Sequence, residues 1–100
     1  MIWKKIGSWS NTHVPNSNDI RKYKELYIDI YWVNGWYNVS LFVFTTIAHQ
    51  SRMTLFSFDQ SAVVIYNPWD SAALIRIDSF HDKNYNTIET PDYTIDVYGR

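Results

Sequence analysis

The stretch Tyr23 to Ile47, YKELYIDIYWVNGWYNVSLFVFTTI, decides the fold, because it reads as two strands joined by a tight turn. Leu26, Ile28, Ile30 and Trp32 alternate with Tyr27, Asp29 and Tyr31, the period of two that turns one face of a strand to a core and the other away from it. Asn34-Gly35 follows at once. Both residues accept the positive φ that a two-residue type I′ turn imposes, so the pair is a strong hairpin signal. The return arm puts Tyr37, Val39, Leu41, Val43, Thr45 and Ile47 on one face and Trp36, Asn38, Ser40, Phe42, Phe44 and Thr46 on the other. This second face changes from polar residues to phenylalanines. The far half of the arm is therefore expected to be buried on both sides, as in a central strand of a sandwich.

The flanking sequence reads as further short strands. Ile2 to Trp9 forms the first, with Gly7 marking a bulge or a close backbone approach, and Ser10 to Lys22 is a long polar loop rather than an element. After a polar connection at Ala48 to Arg52, Met53 to Phe58 is a strand with Thr54, Phe56 and Phe58 on one face, and Ala62 to Tyr66 is a β-branched run suited to burial. Asn67-Pro68-Trp69-Asp70 is a tight turn, Ser71 to Ser79 alternates as a strand, Phe80 to Asp92 is a second long loop, and Tyr93 to Tyr98 closes with Tyr93, Ile95 and Val97 inward. About seven strands at regular spacing, with no convincing helix, predict an all-β fold: one antiparallel β-sandwich, jelly-roll-like, over residues 1–100.

Composition narrows the functions. A hundred residues make one domain, and the 18% of aromatic residues exceeds what its core needs, so some rings are expected to face a partner. The formal charge is −1 and no run of positive charge exceeds Lys4-Lys5, which argues against nucleic acid and against a polybasic membrane patch. Cysteine is absent, so there is neither a disulfide framework nor a thiolate metal site. No signal peptide or membrane-spanning run is visible, and the chain is expected to be soluble with no membrane insertion.

No pair of residues is spaced for catalysis. His13, His49 and His81 fall in expected loops without metal-ligand spacing, and neither a metal nor any other cofactor is expected. Asp82, Asn84 and Asn86 match the start of an EF-hand loop, but Thr87 stands where its turn glycine belongs, which favours an Asx-rich turn. Two neighbouring acids would be needed for glycan cleavage, and Asp29, Asp78, Asp82, Glu89, Asp92 and Asp96 are candidates with no pair marked by spacing. Trp32, Phe42, Phe44, Phe56 and Phe58 read as core. Trp69 differs: at the tip of a turn between Asn67 and Asp70, its indole either stacks on sugar while the polar neighbours bind hydroxyls, or folds back as a plug over the sandwich end. If every connection reverses the chain, the loops at 10–22, 48–52 and 67–70 share one end and those at 34–35, 59–61 and 80–91 the other. The first end then gathers Asn11, His13, His49, Arg52, Asn67, Trp69 and Asp70 as a binding rim.

Three short stretches carry a resemblance: Trp3-Lys4-Lys5-Ile6-Gly7-Ser8, then Lys24-Glu25-Leu26-Tyr27-Ile28, and the ending Thr94-Ile95-Asp96-Val97-Tyr98-Gly99-Arg100. In this order the chain resembles the C-terminal domains of phage and prophage tail-fibre or host-specificity proteins. It differs from them at Trp9-Ser10-Asn11-Thr12, where a T-G-T-like turn is common, and at Gly99, where tyrosine is usual. The resemblance implies the β-rich tip of a homotrimeric fibre on the virion tail, attaching to a bacterial surface polysaccharide. The expected function is receptor binding without bond cleavage, not enzymatic. The alternatives are a structural virion or fibre-assembly module and a small β-protein inhibitor of a host protein.

Overall fold

The structure, a computed structural model, describes residues 2–46 and 49–100. Met1, together with Ile47 and Ala48 at the expected end of the return arm and start of the polar connection, lies outside the described residues. The elements in chain order are β1 (Lys4–Ser10), β2 (Val14–Pro15), α1 (Asn18–Arg21), β3 (Glu25–Trp32), β4 (Tyr37–Phe44), β5 (Ser51–Ser57), β6 (Gln60–Tyr66), β7 (Ala73–His81), β8 (Thr87–Ile88) and β9 (Tyr93–Gly99).

The hairpin forms as its sequence dictates. β3 and β4 pair antiparallel from Glu25↔Phe44 to Trp32↔Tyr37, and the Trp36 N–H donates to the Val33 carbonyl at 3.0 Å across Asn34 and Gly35. Both turn residues take positive φ, 55° and 83°. Val33 does so too, at 55°, and the ladder stops one pair before the turn.

All strand pairings are antiparallel, in two sheets ordered β1-β9-β3-β4 and β2-β7-β6-β5, with β8 on the outer edge of β7. The sheets pack face to face as a sandwich. Leu26, Ile28, Ile30 and Trp32 of β3 enter one core cluster with Val39, Leu41 and Val43 of β4, Ile95 and Val97 of β9, and Ala62, Val64 and Tyr66 of β6. Trp32 is the largest of the fully buried side chains: its ring lies 5.0 Å from Phe80, and its indole N–H donates to Gln60 Oε1 at 2.8 Å.

Several expectations change. β4 is an edge strand rather than a central one, and its second face lies on the outer side of the first sheet, which has no third layer over it, so Phe42 and Phe44 are 43% and 51% exposed. Phe56 and Phe58 likewise point away from the core; of the five aromatics read as core only Trp32 is buried there. The loop at 10–22 contains β2 and the single turn α1, because Val14 and Ile20 are apolar anchors that bury completely. His81 belongs to β7 rather than a loop and is buried, stacked on Tyr85 with centroids 4.1 Å apart. The bulge expected near Gly7 is present as a register shift between Lys5 and Gly7.

The β1 to β3 connection does not reverse the chain. Both strands pair antiparallel with β9 and so run the same way, which obliges the segment between them to travel the length of the molecule. It starts beside Tyr93, where the Asn11 N–H donates to the Tyr93 carbonyl at 2.9 Å. It passes the 67–70 turn, where Asn16 Nδ2 donates to the Pro68 carbonyl at 3.1 Å and also to that of Asp70, and ends where the Lys24 N–H donates to the Arg100 carbonyl at 3.1 Å.

Candidate functional site

The first sheet has an uncovered face, and alternation along three of its strands decides what that face carries. The residues of β3 between the core positions are Tyr27, Asp29 and Tyr31, and their partners are Tyr98, Asp96 and Thr94 on β9 and Phe42, Ser40 and Asn38 on β4. Trp3, just before β1, lies over this face with its ring 5.8 Å from both Tyr27 and Phe42, and Tyr27 is 6.2 Å from Tyr98. The Arg100 guanidinium sits 4.2 Å from the centre of the Trp3 ring. Trp3, Tyr27, Tyr98 and Asp29 line a shallow cavity of about 230 Å³.

Beside this platform Asp29 and Asp96 stand directly opposite each other on adjacent strands. Side chains in that relation are about 5 Å apart at Cβ, and two like charges so placed oppose folding. Hydroxyl donors offset part of that cost: Ser40 Oγ donates to Asp29 Oδ1 at 2.6 Å, Ser8 Oγ donates to Asp96 Oδ1 at 2.5 Å, and Lys5 Nζ is 3.9 Å from the same oxygen. In each carboxylate the second oxygen, Oδ2, accepts nothing among the described residues. The sequence left six acids without a pair, and the strand register supplies this one. The face thus combines aromatic rings, which stack on the CH surface of a sugar, with half-buried Asp29 as an acceptor for its hydroxyls, while Asp96 opposite it is buried.

No protein-family model, curated protein or solved structure matches the chain. Among the described residues no three or more His, Cys, Asp and Glu side chains converge as a metal site, and no helix is long and apolar enough to cross a membrane.

The residues of the expected rim are only partly brought together. Asn67 and Asp70 share the turn with Trp69, Gln50 reaches it through a 3.3 Å contact between its Oε1 and Asn67 Nδ2, and exposed His49 precedes Gln50. His13 is close enough to Asp70 to act on its charge. Asn11 lies at the opposite end, its Oδ1 accepting the Tyr93 N–H at 2.9 Å, because the segment that carries it spans the molecule. Arg52 is on the outer face of the second sheet, 2.8 Å from Asp78. Of the polar side-chain atoms of Asn67 and Asp70 around Trp69, the two Oδ1 atoms are engaged within the turn and Asn67 Nδ2 by Gln50. Asn67 Oδ1 accepts the Trp69 N–H at 2.9 Å, and Asp70 Oδ1 accepts those of Ala72 and Ala73 at 2.8 and 3.1 Å.

These turn bonds have a consequence for acid stability. The Ala72 and Ala73 N–H groups hold Asp70 below the ordinary carboxylate value of 3.8; the Arg76 and Arg52 guanidinium groups do so for Asp78, and the Asn86 and Asn84 N–H groups for Asp82. A carboxylate whose pKa is lower folded than unfolded adds stability above the unfolded value, and loses it as pH falls through the folded one. The melting temperature should therefore hold steady down to about pH 4 as far as these groups are concerned, and fall below it. A thermal-melt series from about pH 6 to about pH 2 measures this, and an unchanged melting temperature below pH 4 would contradict it.

At the hairpin end, Trp36, Tyr37, Phe58 and Asp59 form a second exposed aromatic group, with Tyr37 and Phe58 rings 5.8 Å apart and the Tyr37 hydroxyl donating to Asp59 at 3.0 Å. Phe58 is 88% exposed and holds φ at 55°, a left-handed conformation that costs a residue with a Cβ about 1–2 kcal/mol. Phe58→Gly should remove that cost, lose the ring contact and add glycine's own backbone-entropy cost, so stability in urea denaturation should change by less than about 1 kcal/mol.

Proposed function

We propose that this chain is a glycan-binding β-sandwich that attaches to a bacterial surface polysaccharide without cleaving it, in the manner of a tail-fibre tip on a virion. The observation that carries the reading is the uncovered face of the first sheet, where Trp3, Tyr27 and Tyr98 form a ring platform with Asp29 at its edge and buried Asp96 opposite Asp29. Tyr27, Tyr98 and Asp29 are held on strands, which suits recognition of a stiff, polar, weakly hydrophobic ligand. Opposing two acids has an electrostatic cost, and a ligand whose hydroxyls bridge them gives that cost a use.

Retaining glycosidases likewise employ two neighbouring acids. Cleavage additionally requires the two groups to flank the scissile bond, and side-by-side carboxylates on one sheet approach a ligand from the same side. Binding is the chemistry that this arrangement supports.

The test is a glycan array probed with the folded chain, followed by amide chemical-shift mapping with the best oligosaccharide. Shifts centred on Tyr27, Asp29, Asp96 and Tyr98 are expected, with no release of reducing ends on prolonged incubation. Absence of glycan binding, or shifts confined to residues 67–70, would refute the assignment. The exposed Trp36, Phe56 and Phe58 favour a second reading, self-association as in a homotrimeric fibre module. Light scattering on the same sample measures it.

A further inference from the structure

The sequence contains no long basic run, yet the fold makes a basic end. Of the nine Lys and Arg residues, Lys4 and Lys5 enter there on β1, Arg21 ends α1, Lys22 and Lys24 lie between α1 and β3, and Arg100 follows β9. Register brings these separate stretches together: Lys4 pairs with Gly99, Leu26 also pairs with Gly99, and the Lys24 and Glu25 N–H groups both donate to the Arg100 carbonyl at 3.1 Å. Lys22, Tyr23, Lys24, Glu25 and Arg100 line an open cleft of about 550 Å³. Its one acidic side chain, Glu25, is engaged by the Arg100 guanidinium, and Lys22 Nζ lies 5.5 Å from the Tyr23 ring centre.

Arg100 is shared between this cleft and the sugar platform, since its guanidinium lies over Trp3 while its Nε meets Glu25. A ligand whose rings lie on Trp3 and Tyr27 therefore reaches the basic cleft at one end. At its middle it meets Asp29 and Asp96, which repel negative charge. We propose that the Lys22–Lys24–Arg100 cleft binds an anionic substituent, phosphate or carboxylate, of the glycan on the neighbouring face, so that the receptor is an acidic polysaccharide recognised with its charge at that end. The inference rests on the glycan-binding reading. Its chemistry is that of paired ammonium and guanidinium donors around an oxyanion, which is strong and salt-dependent.

The experiment titrates inorganic phosphate into the full chain at constant ionic strength, following amide shifts, and compares the wild type with Lys22→Gln/Lys24→Gln and with Arg52→Gln. Both lysines are exposed, and circular dichroism checks that each variant is folded. Saturable shifts at Lys22 to Glu25 and Arg100 are expected, with affinity at least tenfold weaker in the double lysine variant and unchanged in Arg52→Gln. On the glycan array, binding to uronate- or phosphate-bearing glycans should fall in the lysine variant.

Absence of saturable shifts, or shifts that the lysine changes do not weaken, overturns the cleft assignment. If neutral glycans bind both proteins equally and phosphate binds neither, the platform reading survives and the cleft reading fails. If phosphate binds the cleft and no glycan binds, the anion site survives and the platform reading fails, and with it the acidic-glycan assignment. Co-sedimentation with phosphatidylglycerol vesicles without any response to acidic glycan would assign the cleft to a lipid headgroup and overturn the proposal.

Discussion

Trp32→Ala is expected to destabilise the chain by about 3–5 kcal/mol, the largest effect of any single substitution considered for this fold. Trp32 ends β3 at 1% exposure, edge-on to Phe80 at 5.0 Å and stacked on Tyr37 at 6.0 Å with 10° between the rings. Its indole N–H ties the first sheet to Gln60 at the start of β6 in the second. Truncation removes that tie and leaves a void between the layers that the sheets cannot close without moving. Since a domain of this kind is stable by about 5–15 kcal/mol in total, a large part of that margin is lost. At about 4–8 °C per kcal/mol, the melting temperature should drop by roughly 12–40 °C. Trp32→Phe keeps a six-membered ring but loses the pyrrole ring and the hydrogen bond, so it should cost about 1–3 kcal/mol. Urea denaturation followed by circular dichroism measures both. A loss under about 1 kcal/mol for the alanine variant would show that the sheets are not joined through this residue.

Trp32 was legible because its strand alternates without exception, and the buried face of β3 matches the sequence residue for residue. The phenylalanines were not, since hydrophobicity reports that a side chain prefers burial and not whether a second layer is available to cover it. Phe42 and Phe44 lie on the outer face of a two-layer sandwich, a fact of layering that no local pattern contains. The candidate site failed to show for a related reason. Asp29 and Asp96 are separated by most of the chain and meet only through the β3–β9 register. Asn11 and Asp70, joined on paper by an assumption about chain reversal, stand at opposite ends because β1 and β3 run the same way. The basic end escaped notice because its charges arrive from three stretches, none of them a run.

Trp3→Ala is expected to weaken binding of the array-selected glycan by about tenfold to a hundredfold, or roughly 1.4–2.8 kcal/mol, the scale for losing one large aromatic contact. Trp3 lies outside the strands, before β1, and its ring contacts are with Tyr27, Phe42 and Arg100 on the open face, not with the buried cluster. Its removal should therefore leave the cooperative unfolding transition in place. Trp3→Phe keeps a smaller platform and should give an intermediate loss. Trp69→Ala is the necessary comparison, because Trp69 is 74% exposed and was the aromatic that the sequence alone nominated. Its Asn67 side chain and Asp70 Oδ1 are committed to the turn and to Gln50, which leaves Asp70 Oδ2 as the acceptor beside the indole, against the Trp3, Tyr27 and Tyr98 rings with Asp29 on the first sheet. Trp69→Ala is accordingly expected to change glycan affinity less than about twofold, well under 1 kcal/mol. The reverse pattern, with affinity lost in Trp69→Ala and kept in Trp3→Ala, would move the site to the turn. Loss in both would mean a ligand long enough to touch both sheets, and the shift map would then have to include β7 as well as β3 and β9.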